Sequence, residues 1–423
     1  MRVLWLCCLL SLVWNAGAAG ASDRPDSVVV LLSWDGARHD YPDRTELPNL
    51  ARLEREGVRA GRLVPVYPSN TFPGHVSLAT GTYPDRHGII DNEFYDADGR
   101  HYRYSGDADW LLAEPLWIAA ERQGVPAATY FWVGSESDWH GQGTRYREAP
   151  FDGERPEAAK VDRILEWLAL PPDKRPRLIM SYWGGADHEG HDHGPASDEV
   201  TRAMQAQDRQ LGRLLAGMDS LGVWPYATLL VVSDHGMTDM GRYVDLQGTL
   251  ADAGIAAKLT GSAVAQVYLE DPAAVDRALA AIEELEHATA YSRDAVPESW
   301  RLAHPTRSGD VVVVTEPPYT LSRPAGLAGY LGGLYFALVG GNGGHGYRPE
   351  LPDMGGIFLA MGRGVPADLG IPQVHQIDVA PTVARLLGID PPQQSEGKGV
   401  RGIGEHLIGA DPPVRGRPQA RTE

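Results

Sequence analysis

Three carboxylates and three imidazoles recur in a pattern suited to holding divalent cations. Asp187 and His191 stand four residues apart, a spacing that fits one helical turn or a compact loop around a metal. Asp234 and His235 are adjacent and suit a single ion if the backbone turns sharply. His345 lies in Gly343-Gly344-His345-Gly346-Tyr347, where glycine freedom fits a backbone shaped to present a ligand better than it fits a core histidine. Asp35 closes the set. With three Asp, three His and no thiolate, the donors match zinc, manganese or a related ion. Plainer explanations stand beside this one. Turn and N-cap carboxylates are common, and His188, His191 and His193 also fit a solvated, histidine-rich loop.

Thr71, in Tyr67-Pro68-Ser69-Asn70-Thr71-Phe72-Pro73-Gly74-His75, is the candidate nucleophile. A helix predicted from Pro73 to Thr80 places the positive helix end near its hydroxyl. A simple N-cap role accounts for a threonine here as well. Because a free hydroxyl is a poor nucleophile at neutral pH, Thr71 needs a coordinated cation to lower its pKa.

The elements that must position these groups follow from the apolar pattern. Ser27 to Ser33 is a continuous β-branched and leucine run that ends at Trp34-Asp35-Gly36; Arg177 to Trp183 precedes Asp187; Ala227 to Ser233 precedes Asp234. Each reads as a buried strand with acidic residues just past its carboxyl end, the edge at which open α/β sheets bind ligands. Helical spacing over Leu47 to Gly57, Pro115 to Gly124, Ala158 to Ala169, Asp198 to Gly222 and Val379 to Leu387 alternates with these strands and with Ala127 to Val133. The expected fold is α/β, with a doubly wound, mostly parallel sheet and a small α+β insert over about 245–335.

Composition bounds the rest. The chain has 423 residues, 43% of them apolar, with 49 Gly and 32 Pro, which excludes a disordered chain, collagen or a coiled coil for the bulk. A net charge of −18 argues against stable nucleic-acid binding. Residues 1–21 read as a signal peptide: Arg2, the apolar run Val3 to Trp14, then small residues ending at Ala21. Cys7 and Cys8 both fall inside it, so an exported, periplasmic or secreted protein would carry no disulfide. Residues 22–410 form the expected catalytic domain and 411–423 a flexible tail. No membrane span and no obligate protein partner is expected.

These motifs, taken in order, resemble the nucleotide pyrophosphatase/phosphodiesterase family of the alkaline phosphatase superfamily, in its bacterial form. The resemblance runs from Ser27 to about Gly388 through Ser33-Trp34-Asp35-Gly36, Pro68 to His75 and His87-Gly88-Ile89-Ile90-Asp91-Asn92. It continues through Phe131 to Glu136, Tyr182 to Asp187 with His191, Ser233 to Met237 and Gly344 to Tyr347. It implies two Zn²⁺ ions, one on Asp187, His191 and His345, the other on Asp35, Asp234, His235 and the Thr71 oxygen. It further implies attack by Thr71 on phosphorus through a phosphothreonine intermediate. Asn92 would hydrogen-bond a non-bridging phosphoryl oxygen, while Phe72 and Tyr182 would sandwich a nucleobase; core packing is the alternative for both rings.

Charge counting also favours a small-molecule diester. Two divalent ions against three carboxylates and an alkoxide give a nearly neutral site, suited to a monoanion, whereas a monoester dianion would want an arginine beside the nucleophile. The chain departs from the family at Trp183-Gly184-Gly185-Ala186 and at Arg348-Pro349, positions that could reshape the substrate pocket. An uncharged apolar segment, 326–341, is either a buried loop or a wall for a hydrophobic leaving group. The expected activity is release of a nucleoside monophosphate from nucleotide diesters or pyrophosphates. A choline-phosphodiesterase of phospholipase C type and a non-catalytic metal- or phosphate-binding protein are the alternatives.

Overall fold

A computed structural model describes residues 27–321, 342–367 and 369–408. The leader at 1–21, the apolar segment 326–341 and the tail 411–423 lie outside the described residues, as does the end of the expected insert.

The central sheet has seven strands: β1 (Val28–Trp34), β2 (Val58–Arg59), β3 (Ala127–Tyr130), β4 (Tyr146–Glu148), β5 (Leu178–Trp183), β6 (Ala227–Val232) and β7 (Phe358–Gly362). Their spatial order is β2-β7-β6-β1-β5-β3-β4. From β6 to β4 every pairing is parallel, and β7 runs antiparallel to both β6 and β2. All seven residues of β1 are buried, because helices cover both faces. Val29 and Leu31 join one core, against Val76, Leu116 and Val383; Val28, Val30 and Leu32 join the other, against Leu50, Val161 and Leu211. The doubly wound, mostly parallel sheet expected from the apolar runs is the observed fold.

Register brings the three acidic strand ends together. Ser33 pairs with Tyr182 on one side and with Val232 on the other, so Asp35, Asp187 and Asp234 emerge at the same sheet edge. The turns after β1 and β5 are pressed together. Gly185 has φ +59°, and a Cβ there would stand 2.0 Å from the Asp35 carbonyl oxygen; Gly36, at φ +64°, would meet the Asp187 Cα at 2.8 Å. Gly185→Ala is therefore expected to lower the melting temperature, with roughly 1–2 kcal/mol lost to the left-handed backbone alone and the clash added. An unchanged thermal midpoint would contradict this packing.

Within the span expected as an insert, the described residues form a four-stranded antiparallel sheet, ordered Ala257–Gly261, Val264–Leu269, Val311–Thr315, Ala288–Ser292, with the helix Val275–Glu283. Its own apolar cluster includes Val267, Ile282 and Val313. Arg307 anchors it to the main body by donating to the Gly88 and Trp110 carbonyls and pairing with Asp96 at 3.0 Å. A short ladder between Thr238–Met240 and Asn342–Gly344 carries the chain back to the sheet edge and delivers His345. No described helix is long and apolar enough to cross a membrane.

Candidate active site

Asp35 and Asp234 leave the ends of β1 and β6, and both are almost fully buried. Asp187 opens the helix Asp187–His193, so the four-residue spacing to His191 is one helical turn, with Asp187 Oδ1 3.4 Å from His191 Nε2. His345 Nε2 lies 3.6 Å from the same oxygen. His235 Nε2 is 3.4 Å from Asp35 Oδ1, 3.3 Å from Asp234 Oδ2 and 3.2 Å from the Thr71 hydroxyl. The six predicted side chains and Thr71 thus converge from five separate segments.

Tautomers follow from the outer partners. The Nδ1 atoms of His191, His235 and His345 face the Gly343 carbonyl at 3.1 Å, the Gly236 carbonyl at 2.8 Å and Asn70 Oδ1 at 2.8 Å. An oxygen acceptor at Nδ1 puts the proton there and leaves Nε2 as a lone pair. His191 and His345 then aim two lone pairs at each other across 3.1 Å. Asp35 Oδ1, Asp187 Oδ1 and Asp234 Oδ2 are buried without a hydrogen-bond donor. Acceptors facing acceptors in a buried space form a donor set for cations and repel one another without them.

The proton equilibria carry the same strain. Burial, and then Asp234 and Asp187, push the Asp35 carboxyl well above its ordinary range. Burial raises Asp187 too, but the imidazole of His191 beside it, when protonated, outweighs this and holds it low. Burial drives His345 well below the ordinary imidazole value, and His235 adds to the effect. Two residue groups place ligand atoms within 4.8 Å of one another: Asp187, His191 and His345; and Asp35, Asp187 and His235. Asp187 belongs to both, which sequence spacing did not indicate.

Thr71 departs from the sequence reading in one respect. The helix begins at Thr71 and not at Pro73, running Thr71–Thr80, and Asn70 occupies the N-cap position. Thr71 is therefore not the cap, and its hydroxyl is directed to His235. Phe72 N–H donates to Asn92 Oδ1 at 2.9 Å, which fixes that amide with its NH₂ group turned to the Tyr104 hydroxyl beside the cavity.

A cavity of about 280 Å³ opens beside the cluster, lined by Asp35, Thr71, Phe72, Tyr104, Phe131, Glu136, Phe151, Tyr182 and Asp187 among others. Three of the chain's six phenylalanines line it. Phe72 packs edge-on against Tyr104 at 5.4 Å, and Phe151 against Phe131 at 5.4 Å and Tyr182 at 5.8 Å. Tyr104 and Phe151 are exposed at the mouth. The Tyr182 hydroxyl donates to Asp35 Oδ2 at 2.7 Å, so this residue supports the carboxylate cluster as well as lining the cavity. Lys160 holds the Tyr182 carbonyl at 3.0 Å.

Sequence reading assigned no role to Tyr104, Phe131, Glu136, Phe151, His75, Asn70 or Asp91. Asn70, His75, Asp91, Phe131 and Glu136 lie within the motif blocks, but nothing in those blocks announces their contacts. The expected strand to Val133 stops at Tyr130 because Phe131 adopts φ +59°, a turn that places its ring in the cavity wall.

Comparison with known proteins adds a separate line of observation. The profile of a family described as type I phosphodiesterase/nucleotide pyrophosphatase matches residues 29–348. Human ectonucleotide pyrophosphatase/phosphodiesterase family member 1 is 29% identical over 396 residues, covering 90% of this chain and 41% of that protein. A venom phosphodiesterase of Crotalus durissus collilineatus is 30% identical over 415 residues, covering 93% of this chain and 48% of its own length. The chain thus spans about half the length of the curated relatives it matches. Among solved structures, human ectonucleotide pyrophosphatase/phosphodiesterase 5 is similar with a TM-score of 0.78 at 25% identity, covering 88% of this chain and 97% of that one.

Proposed function

The chain belongs to the type I phosphodiesterase/nucleotide pyrophosphatase family, and from that premise we propose that it hydrolyses nucleotide phosphodiester or pyrophosphate bonds, releasing a nucleoside monophosphate. One observation carries the reading: the Thr71 hydroxyl stands between the carboxylate–imidazole cluster and the aromatic cavity, 3.2 Å from His235 Nε2.

The residues fit two divalent cations, and zinc suits this nitrogen and oxygen set. Asp187, His191 and His345 would hold one; Asp35, Asp234, His235 and the Thr71 oxygen the other, with Asp187 close to both groups. Bound there, the ions lower the pKa of the Thr71 hydroxyl and stabilise negative charge on the phosphoryl oxygens. Thr71 Oγ1 attacks phosphorus; the Oγ1–P bond forms as the bond to the leaving oxygen breaks, giving a threonine phosphodiester. Water then attacks phosphorus from the vacated side, the Oγ1–P bond breaks, and the hydroxyl is restored. Asn92 donates from its amide nitrogen to a non-bridging oxygen, and the positive end of the Thr71–Thr80 helix favours the same charge. Neither Lys nor Arg lines the cavity among the described residues, which favours a monoanionic diester over a monoester dianion.

Phe72 stacks one face of the base, and Tyr182, together with the exposed Phe151, provides the other. Phe72→Ala is expected to raise KM for a nucleotide diester by about 10- to 100-fold, the worth of one stacked base, with little change for bis(nitrophenyl) phosphate. Equal losses on both substrates would remove the base from this wall. Names of the relatives, ectonucleotide and venom, support an exported protein, whether periplasmic or secreted.

A second reading draws on the same cavity. Aromatic walls beside the Glu136 carboxylate also suit a quaternary ammonium, as in choline-phosphodiesterase activity. The zinc-loaded protein should be assayed on a nucleotide nitrophenyl diester, nitrophenyl phosphorylcholine and nitrophenyl phosphate. Preference for the first supports the proposal, preference for the second supports the alternative, and no turnover on any of them leaves a binding protein.

A further inference from the structure

We propose that Asp91 is a positioning residue that aims His345 at the cation site through Asn70 and sets Asn92 in the same stroke, an inference that rests on the function proposed above. Asp91 Oδ1 accepts from Asn70 Nδ2 at 2.7 Å and from the Asn92 backbone N–H at 2.7 Å. The other end of the Asn70 amide, Oδ1, lies 2.8 Å from His345 Nδ1. This order of donors is forced. An oxygen already accepting the Asn92 N–H takes the NH₂ group of Asn70, so Asn70 turns its carbonyl to His345, and His345 must carry its proton on Nδ1. Its Nε2 lone pair then points to Asp187 and His191. From Asn92 the chain continues, since Asn92 Oδ1 holds the Phe72 N–H in the first turn of the Thr71 helix.

One carboxylate oxygen therefore connects a cation ligand, 254 residues away in sequence, to the amide expected to contact phosphate. Asp91 is 1% exposed and has no ion-pair partner among the described residues, and its Oδ2 meets no donor. Burying a carboxylate this way is costly. The insert closes over it: a Cβ on Gly261 would lie 3.0 Å from Asp91 Oδ2. Asn70 is held equally closely, with a Cβ on Gly346 falling 2.6 Å from its Oδ1. An amide suits the middle position because it accepts at one end and donates at the other; neither a carboxylate nor an amine does both.

The test is zinc affinity of the full-length protein, measured by competition with a chromophoric chelator, alongside the melting temperature. Asp91→Ala and Asn70→Ala should each weaken one of two zinc equivalents by about 10- to 100-fold, the usual effect of losing the partner behind a ligating histidine, and leave the other unchanged. The double variant should be no weaker than the more severe single variant, because the two residues act in series. Asp91→Asn keeps an acceptor oxygen and should recover most of the affinity, so the inference remains testable even if Asp91→Ala fails to fold. Two wild-type equivalents with unaffected variants would overturn this inference alone, as would equal weakening of both equivalents in step with lost stability. A wild-type protein that takes up no zinc would overturn the metal reading, and this inference with it.

Discussion

Thr71→Ala should reduce turnover of a nucleotide nitrophenyl diester by on the order of 10⁴-fold or more, with zinc content and melting temperature close to wild type. Removing a covalent nucleophile from a preorganised site leaves only the contribution of positioning and charge stabilisation, which accounts for the size of the loss. The structure separates this from a folding defect. Asn70, not Thr71, occupies the cap of the Thr71–Thr80 helix, and the Thr71 side chain meets His235 and not the helix backbone. Ala is also the better helix former. Thr71→Ser retains the hydroxyl and should keep activity within about 100-fold, because the same oxygen remains. Initial rates, metal analysis and thermal melts on the three proteins decide the matter. A Thr71→Ala protein that turns over at even a tenth of the wild-type rate would remove Thr71 from the chemistry.

Stripping the cations should have the second-largest effect, abolishing turnover and lowering the melting temperature, and the difference between stripped and loaded protein should widen as pH rises. Without cations the cluster relies on protons. Asp35 has a raised folded pKa, owing to burial and then to Asp234 and Asp187. Its stabilising effect is complete below the unfolded value and is lost as pH climbs through the raised one. For His191, burial opposes the charge, but Asp187 overcomes that and raises the pKa, so its contribution also disappears with rising pH. Asp187, which burial raises but His191 holds low, is already ionised over the neutral range, and His345, lowered chiefly by burial, adds stability only as pH rises to the unfolded imidazole value, so neither offsets these losses above neutral pH. In loaded protein the ions would balance these charges, and their affinity would increase as protons leave the cluster. Melting curves with and without chelator at several pH values test this; a gap that narrows towards alkaline pH would count against a cation site at this cluster. Asp234→Asn, which deletes one charge from a fully buried member of the cluster, should mimic partial stripping.

Much of this site could be read along the chain because its carboxylates follow apolar strands. β1, β5 and β6 are marked by continuous buried runs, and once their register is parallel, Asp35, Asp187 and Asp234 have to share an edge. The Asp187–His191 spacing is local geometry, and the glycines around His345 indicate an unusual backbone. What could not be read depends on contacts distant in sequence. Asn70 looks like an ordinary helix cap until the chain from Gly344 brings His345 against it, and Asp91 looks like a turn residue until Asn70 arrives. Of the aromatic side chains in the cavity wall, Phe72 and Tyr182 were legible. Tyr104 and Phe151 come from irregular segments with no period to betray them, and both Tyr104 and Phe131 adopt left-handed backbone angles that propensity argues against. Tyr182 shows the limit most clearly: its ring was expected to serve the base, and nothing local announces that its hydroxyl is bound to Asp35.

The central claim is a covalent threonine route, and the stereochemistry at phosphorus tests it most directly. A nucleotide nitrophenyl phosphorothioate of one known configuration should be hydrolysed in ¹⁸O-water and the configuration of the product thiophosphate determined. Two successive in-line displacements, the first by Thr71 and the second by water, predict retention. Inversion would mean that water attacks phosphorus in a single step, and Thr71 would then be a ligand or a contact and not the nucleophile.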